Sequence, residues 1–294
     1  MVTLAPDIRV FIDPATARST MPRMLVNSGT ELATYDTNAP VAYCPRARIP
    51  KEDWRTPTAA EHACLLAVNP PSVPGAWISV VRIPDAVLEP LVALELTSIE
   101  RDRDLNNLMI TDCYREASAT ILSYLAQFNS GETQLIVGGV RANPPGLRTA
   151  TFDASSNCYI GLHVDNWDRL PLDAKARATN RIGINVGVED RYFVYINLSL
   201  RQMATYYLEG VDLKERAMTG QGSSIGQAFL GANPSYPVTK LRVGAGEAYV
   251  APTENLMHDG CTVGKQHLDL HLSVRGHFRA MPTPFEEETT RPHV

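Results

Sequence analysis

From Glu132 onward the chain is a succession of short runs rich in Ile, Val, Tyr and Phe: QLIVGGV, NCYIGLHVD, NRIGINVG, YFVYINLS and LRVGAGEAYVA. Pro, Gly, Asp and Asn turn residues separate them, which is the pattern of short strands joined by tight connections. A last run, HLDLHLSVRGHF, alternates apolar and polar residues with the period of a strand that has one buried face. There is no βαβ alternation, so the pattern points to an antiparallel sandwich or jelly roll. One interruption falls between Met203 and Tyr236, with a helix expected near YYLEGVDLKERAM and a Gly/Ser-rich loop at GQGSSIGQ. That loop lacks the terminal GK[ST] of a phosphate loop and does not sit between a parallel strand and its helix, which argues against a nucleotide site.

The preceding part reads differently. Phe11 and Ile12 start an early strand, and the stretch around Pro45, Pro50 and Pro57 reads as ordered coil with short helices. TAAEHACLLAV is expected to be a short helix ended by Pro70, Pro71 and Pro74, with His62 packed or exposed, and WISVVRI a strand ending at Ile83. Residues 86–128 are the clearest helical region. Leu88, Leu91, Val92 and Leu96 form one helical stripe and Ile121, Tyr124, Leu125 and Phe128 another, with the polar break IERDRDLNN between two helices. The apolar faces need a partner, and the later strands supply one. At 294 residues the chain can bury a large core. The expected organisation is an N-terminal region, 1–129, whose helices support a β core at 130–281, followed by an acidic, proline-bearing tail, 282–294, that is expected to be mobile with His293 exposed.

Several classes are disfavoured. A formal charge of −5, without an Arg/Lys cluster on a recognition helix, argues against a nucleic-acid binder. The five cysteines, Cys44, Cys64, Cys113, Cys158 and Cys261, are odd in number and widely spaced with no CxxC pair. That spacing argues against a disulfide scaffold or a structural zinc knot, and the expected compartment is reducing cytoplasm. No apolar run reaches the roughly 18 to 20 residues that span a bilayer, and Asp7 and Arg9 stand where a leader would carry a basic segment and an apolar run. A small, soluble substrate is the simplest expectation.

His163 and Asp165 lie two positions apart in YIGLHVDNW, and side chains at i and i+2 share one face of a strand. His258, in AYVAPTENLMHDG, follows a glycine turn, a short strand and a proline-bearing return, and becomes a third ligand if its strand crosses back beside the first pair. Two imidazoles and one carboxylate on one side of a cation leave neighbouring positions open, the arrangement that suits non-haem iron(II) with oxygen and a second small molecule. The bland alternatives are an HxD at a solvated strand end and a His258 that caps a turn with Asp259 and Gly260.

The GLHVDN and LMHDG segments resemble the two ligand segments of the iron(II)/2-oxoglutarate-dependent oxygenase superfamily, whose double-stranded β-helix carries HxD near its second core strand and a distal histidine near its seventh. The resemblance covers about residues 130 to 280 and implies a mainly β fold with flanking helices, a cupin-like jelly roll supported by helices on its major sheet. It implies His163, Asp165 and His258 as metal ligands, Fe(II) as the metal, and 2-oxoglutarate and O2 as cosubstrates. It further implies that Arg275, in HLSVRGHF, grips the remote carboxylate of 2-oxoglutarate, a role the rigid two-pronged guanidinium suits. Ser273 shares the strand parity of Arg275 and could add a hydroxyl. His267 and His271 share that parity too, and with His277 leave an alternative metal set open. Arg181 and Asn185 in NRIGINVG, and Tyr195 and Asn197 in FVYINL, are secondary candidates for orienting a carboxylate or a metal-bound group, while Arg148, Trp167 and Asp168 could shape the substrate mouth.

The resemblance implies oxidative decarboxylation of 2-oxoglutarate to succinate and CO2 coupled to hydrogen abstraction from a small polar metabolite, such as an amino acid or a biosynthetic intermediate. Related halogenases replace the carboxylate ligand with a small residue, so the retained Asp165 favours hydroxylation, with desaturation, ring formation or epimerisation as other outcomes of the same abstraction. Competing expectations are a cupin-type metalloenzyme that works without 2-oxoglutarate, a non-enzymatic jelly-roll module that binds a small molecule, and a protein-modifying hydroxylase. Neither oligomeric state nor pathway is legible in the chain.

Overall fold

The computed structural model describes residues 3–16, 20–34, 41–69, 74–99, 102–130, 134–207 and 222–279. Fifteen strands run through the described residues. The first six are β1 (Arg9–Ile12), β2 (Met24–Val26), β3 (Thr30–Leu32), β4 (Arg48–Pro50), β5 (Leu66–Ala67) and β6 (Trp77–Arg82). The remainder are β7 (Ile136–Asn143), β8 (Phe152–Asp153), β9 (Cys158–Tyr159), β10 (Asn180–Asn185), β11 (Arg191–Ser199), β12 (Thr239–Val243), β13 (Glu247–Ala251), β14 (Leu256–Cys261) and β15 (Asp269–Gly276). Six α-helices accompany them among the described residues: α1 (Ala59–Leu65), α2 (Asp85–Val92), α3 (Asp102–Met109), α4 (Asp112–Ala126), α5 (Leu200–Tyr207) and α6 (Gly222–Ala232).

A seven-stranded sheet in the order β5-β1-β6-β13-β10-β15-β7 faces a four-stranded sheet in the order β14-β11-β12-β2. From β10 to β15 the chain passes from the large sheet to the small one and back, apart from the excursion through α5 and α6. This alternation between facing sheets is the double-stranded β-helix, or jelly roll. The two sheets meet through Phe193 and Tyr249, whose rings stack with centroids 4.4 Å apart. The large sheet buries both faces, and β15 shows how one strand serves two environments. Leu270, Leu272 and Val274 join a core with Leu88 and Leu91 of α2 and Ile121 and Leu125 of α4, while the alternate residues Asp269, His271, Ser273 and Arg275 turn toward the barrel interior. The apolar–polar alternation of HLDLHLSVR thus reports a helix-covered outer face and a polar inner one.

The N-terminal region does more than supply supporting helices. It adds β5, β1 and β6 to the large sheet and β2 to the small one. The polar break at IERDRDLNN proves to contain α3, because Leu105, Leu108 and Met109 repeat at helical spacing and pack into the helix-facing core despite their polar neighbours. GQGSSIGQ is likewise helical from Gly222 on; Gly226 of α6 lies against Met257, where a Cβ would come within 2.1 Å of the sulfur. The helix α1 ends at Leu65, before the prolines expected to stop it, and is begun by a reciprocal capping box between Thr58 and Glu61. Pro70 and Pro71, the helix expected at YYLEGVDLKERAM after Tyr207, and the tail with His293 lie outside the described residues. No helix among the described residues is long and apolar enough to cross a membrane.

The cysteines correct one expectation. Cys44 and Cys158 form a disulfide with Cα atoms 5.2 Å apart, while Cys64, Cys113 and Cys261 are free. One such bond is no scaffold, yet it removes the support that cysteine usage lent to a reducing compartment. It fastens the segment around Tyr43, Ala47 and Ile49 to β9, where these residues pack on Tyr159. The bond closes a sequence separation of 114 residues, so Cys158→Ser should lower the unfolding free energy by about 2–5 kcal/mol. Urea unfolding of unreduced wild type and variant measures this, and an unchanged midpoint, or titration of all five thiols in the unreduced protein, refutes the bond.

Candidate metal centre

The first two candidate ligands sit on an irregular stretch that follows β9. Gly161 has φ +77°, and a Cβ there would lie 2.7 Å from the Arg48 carbonyl oxygen, so glycine lets the chain close on β4. Leu162 N–H then donates to that same Arg48 oxygen at 2.8 Å. The next residue is bridged to β14 in both directions: His163 N–H donates to His258 C=O at 3.1 Å, and His258 N–H to His163 C=O at 2.8 Å. Asp165 N–H donates to Thr253 C=O at 3.0 Å, completing the docking of the HxD segment. An antiparallel bridge places directly opposed side chains on one face, and the two imidazole centroids are 4.7 Å apart.

One donor atom each of His163, Asp165 and His258 falls within a group whose members all lie within 4.8 Å of one another. His163 Nε2 is 3.7 Å from Asp165 Oδ1, and His258 Nε2 is 3.9 Å from Asp165 Oδ2. The far nitrogens set the orientation. His163 Nδ1 lies 3.1 Å from Gly161 C=O and 3.4 Å from Asp259 Oδ2, and His258 Nδ1 lies 3.3 Å from Leu256 C=O. The Nδ1 contacts aim both Nε2 atoms at Asp165, the orientation metal-binding histidines require. His258 Nε2 is buried without a hydrogen-bond partner, which a folded protein leaves only at a cost of about 1–3 kcal/mol. A divalent cation that favours imidazole and carboxylate satisfies this donor set.

The electrostatics follow from burial and proximity. Burial alone would lower His163, but Asp165 and Asp259 override it and push the imidazole up to about 10. His258 moves the other way, down to about 4, through burial and repulsion from His163. Burial would raise Asp165, yet His163, Arg181 and His258 hold it well below the usual carboxylate range. Arg181 Nη2 is 2.7 Å from Asp165 Oδ2, a close charge contact that is not aligned as a hydrogen bond.

The centre opens on a cavity of about 750 Å³ between the sheets, whose wall includes Arg181, Arg191, Phe193, Tyr249, His258 and His271. Of the residues singled out in the sequence, His163, Asp165, His258 and Arg181 converge here. Arg275 stands at the rim, its guanidinium 5.2 Å from the Trp167 ring centroid, 3.9 Å from Asp168 and 4.0 Å from Glu254. Trp167 lines the cavity.

The other expectations are corrected. Asn185 is used up structurally, donating to Glu189 and Val243 carbonyls and accepting from Gly187 N–H. Tyr195 is fully buried with its hydroxyl toward Thr239, and Asn197 bonds to Ala5 and Tyr236; neither lines the cavity. Ser273 lies opposite Gly183 and Gly139, also off the cavity wall. Arg148 is tied to the Pro50 carbonyl and to Glu31, away from the mouth. His267 is exposed and His277 meets the Arg177 carbonyl, so they form no rival metal set with His271 among the described residues.

Arg191, Asp259 and Asp269 were not anticipated. Arg191 is buried at the start of β11 and pairs with Asp269, which also lies 3.2 Å from Lys265 Nζ. Asp259 Oδ1 accepts from Ala150 N–H, Thr151 N–H and Gly260 N–H, leaving Oδ2 toward His163. Its position beside His258 was the available signal.

No family model matches the sequence, and no curated protein matches it. Among solved structures, the chain is similar to the Kdo hydroxylase KdoO, described as a non-haem Fe(II) alphaketoglutarate-dependent dioxygenase. The apo form is 14% identical at a TM-score of 0.40, over 70% of this chain and 81% of that one. The form with alphaketoglutarate and Fe(III) is 14% identical at 0.39, over 71% and 81%. Overlap this loose transfers no residue role or activity between the two chains.

The charge states carry a measurable consequence. His258 is already neutral near neutral pH, whereas His163 must give up a proton to bind a cation, so metal uptake should release one proton. The Co(II) affinity of the full chain should therefore rise about tenfold per pH unit from pH 6 to 8. A titration in which affinity is flat with pH would remove His163 from the ligand set.

Proposed function

We propose that this chain is an Fe(II)- and 2-oxoglutarate-dependent oxygenase that hydroxylates a C–H bond of a small polar metabolite. The observation that carries the reading is the buried convergence of two Nε2 atoms and one carboxylate beside a cavity whose wall holds arginines. Three donors on one side of an ion leave the cavity side open to exchangeable ligands. A module that merely bound a small molecule would gain nothing from a buried, unpartnered His258 Nε2.

His163, Asp165 and His258 would hold the iron. When bound, Fe(II) with 2-oxoglutarate and O2 supplies the oxidation: substrate C–H becomes C–OH while 2-oxoglutarate leaves as succinate and CO2. The protein's own contribution is orientation and exclusion of water. Asp259 and the Gly161 carbonyl fix the ring of His163. Arg181 holds Asp165 ionised in a buried setting. The stacked Phe193 and Tyr249 rings form an apolar floor, and Phe193 also stacks on His258 at 5.5 Å.

For the remote carboxylate of 2-oxoglutarate, Arg191 is the better anchor than Arg275. Arg275 stands off the cavity wall with its guanidinium over Trp167 and Asp168 and Glu254 at 3.9 and 4.0 Å, so we assign it to seating Trp167. Arg191 lines the cavity, its Nε lacks a hydrogen-bond partner, and its one acid, Asp269, is shared with Lys265. A charged fork at that point can take a carboxylate in two hydrogen bonds. Full turnover without 2-oxoglutarate would instead favour a cupin-type metalloenzyme.

Anaerobic addition of Fe(II) and 2-oxoglutarate should produce the visible metal-to-ligand absorption of the chelate. It should vanish in His163→Ala and His258→Ala. In Arg191→Lys the 2-oxoglutarate affinity should fall by about tenfold or more, the scale of a charge-assisted bond, and by much less in Arg275→Gln. Absence of the band in wild type defeats the oxygenase reading, and the reverse order of the two arginines returns the anchor to Arg275.

A further inference from the structure

The cavity contains a cation that none of these roles uses. Arg141 of β7 lies opposite His271 of β15 and lines the same chamber. It makes no hydrogen bond or ion pair within the described residues. The other charges of the chamber are matched: Arg181 faces Asp165 at 2.7 Å, Arg191 pairs with Asp269, and Asp259 Oδ1 is held by three backbone N–H groups. At the rim, Arg275 and Lys175 are balanced by Asp168 and Glu254. Arg141 is thus the one cation of the chamber without an acid among the described residues. Burial, Arg191 and Arg181 hold His271 below its usual range, and Arg141 across the strand pair adds to them.

The apolar side of the chamber is equally particular. Phe152 is 48% exposed and Trp167 64% exposed, yet both line this cavity, with Tyr159 packed edge-on to Phe152 at 5.2 Å. Exposed rings around a concave site offer flat apolar contact to a ligand. The cavity of about 750 Å³ exceeds what a five-carbon diacid fills, so room for a second molecule remains between these rings and Arg141.

We propose that the substrate is a small organic anion, a carboxylate or phosphate ester with an apolar or planar portion, whose charge is taken by Arg141 while Phe152 and Trp167 contact its apolar part. This rests on the oxygenase reading and adds the substrate class to it. Arg141 is exposed on its strand, so an anion there displaces only water from a cation that no acid competes for, and gains a charge-assisted hydrogen bond that a neutral analogue lacks.

The test uses the full chain loaded with Co(II) and 2-oxoglutarate and four probes in matched pairs: phenylacetate with phenylacetamide, and phenyl phosphate with phenol. Calorimetry should give each anion about tenfold or greater preference over its neutral partner, the discrimination of one charge-assisted hydrogen bond. Arg141→Gln should abolish that preference and Arg141→Lys retain most of it, with Co(II) and 2-oxoglutarate affinities unchanged in both. Carboxylate against phosphate affinity then distinguishes the two sources of charge. Equal binding of acid and neutral partner, indifference of Arg141→Gln, or no binding of any probe overturns the proposal. Loss of 2-oxoglutarate affinity in Arg141→Gln also overturns it, reassigning Arg141 to the cosubstrate. If wild type binds no 2-oxoglutarate, the oxygenase reading has failed, and the same probes on the Co(II) protein alone support or refute Arg141 on the same pattern.

Discussion

Two backbone hydrogen bonds between His163 and His258 hold the site together. They join the HxD segment, which has little regular ladder of its own, to a strand of the four-stranded sheet. Because opposed residues of an antiparallel bridge point their side chains the same way, the pair fixes both imidazoles over one spot, and Asp165 arrives two residues later on the same face. A slip of one residue would turn His258 away and present Met257 or Asp259.

The barrel interior is consistent with that constraint. β6 and β13 give alternate residues to both apolar cores, whereas β15 divides an apolar face from a polar one. On β15 the apolar residues Leu270, Leu272 and Val274 stabilise the fold, while Asp269, His271, Ser273 and Arg275 line or border the interior. Along β15, Asp269 with Arg191 marks one end, and Arg275, in register with Arg181 of β10, marks the other. Hydrogen bonds from the chain leading to β8 reach Asp259 and through it His163, so the cavity wall and the ligand shell are one connected unit.

Much of this was legible locally. Short Ile, Val, Tyr and Phe runs between turn residues, and the alternation of HLDLHLSVR, marked the strands, and the HxD spacing put two candidate donors on one face, because strand geometry dictates which neighbours share a face. Misreadings arose where local composition misled. IERDRDLNN looked like a break because its charges outnumber the Leu105, Leu108 and Met109 stripe, and GQGSSIGQ looked like a loop because small residues signal turns until Met257 packs against Gly226. Asn185 and Tyr195 have the right parity but the wrong position along the barrel, so they serve turns and core.

The chain by itself determined the donor types, the antiparallel strand pattern and the pairing of His163 with Asp165, since each depends on residues a few positions apart. The tertiary structure alone decided that His258 rather than His267 or His271 meets His163 and Asp165, that Cys44 meets Cys158, and that Arg191 and Arg141 face the cavity while Arg275 borders it. These outcomes depend on register between strands distant in sequence and on where each side chain falls along the barrel axis, which spacing within a segment does not encode.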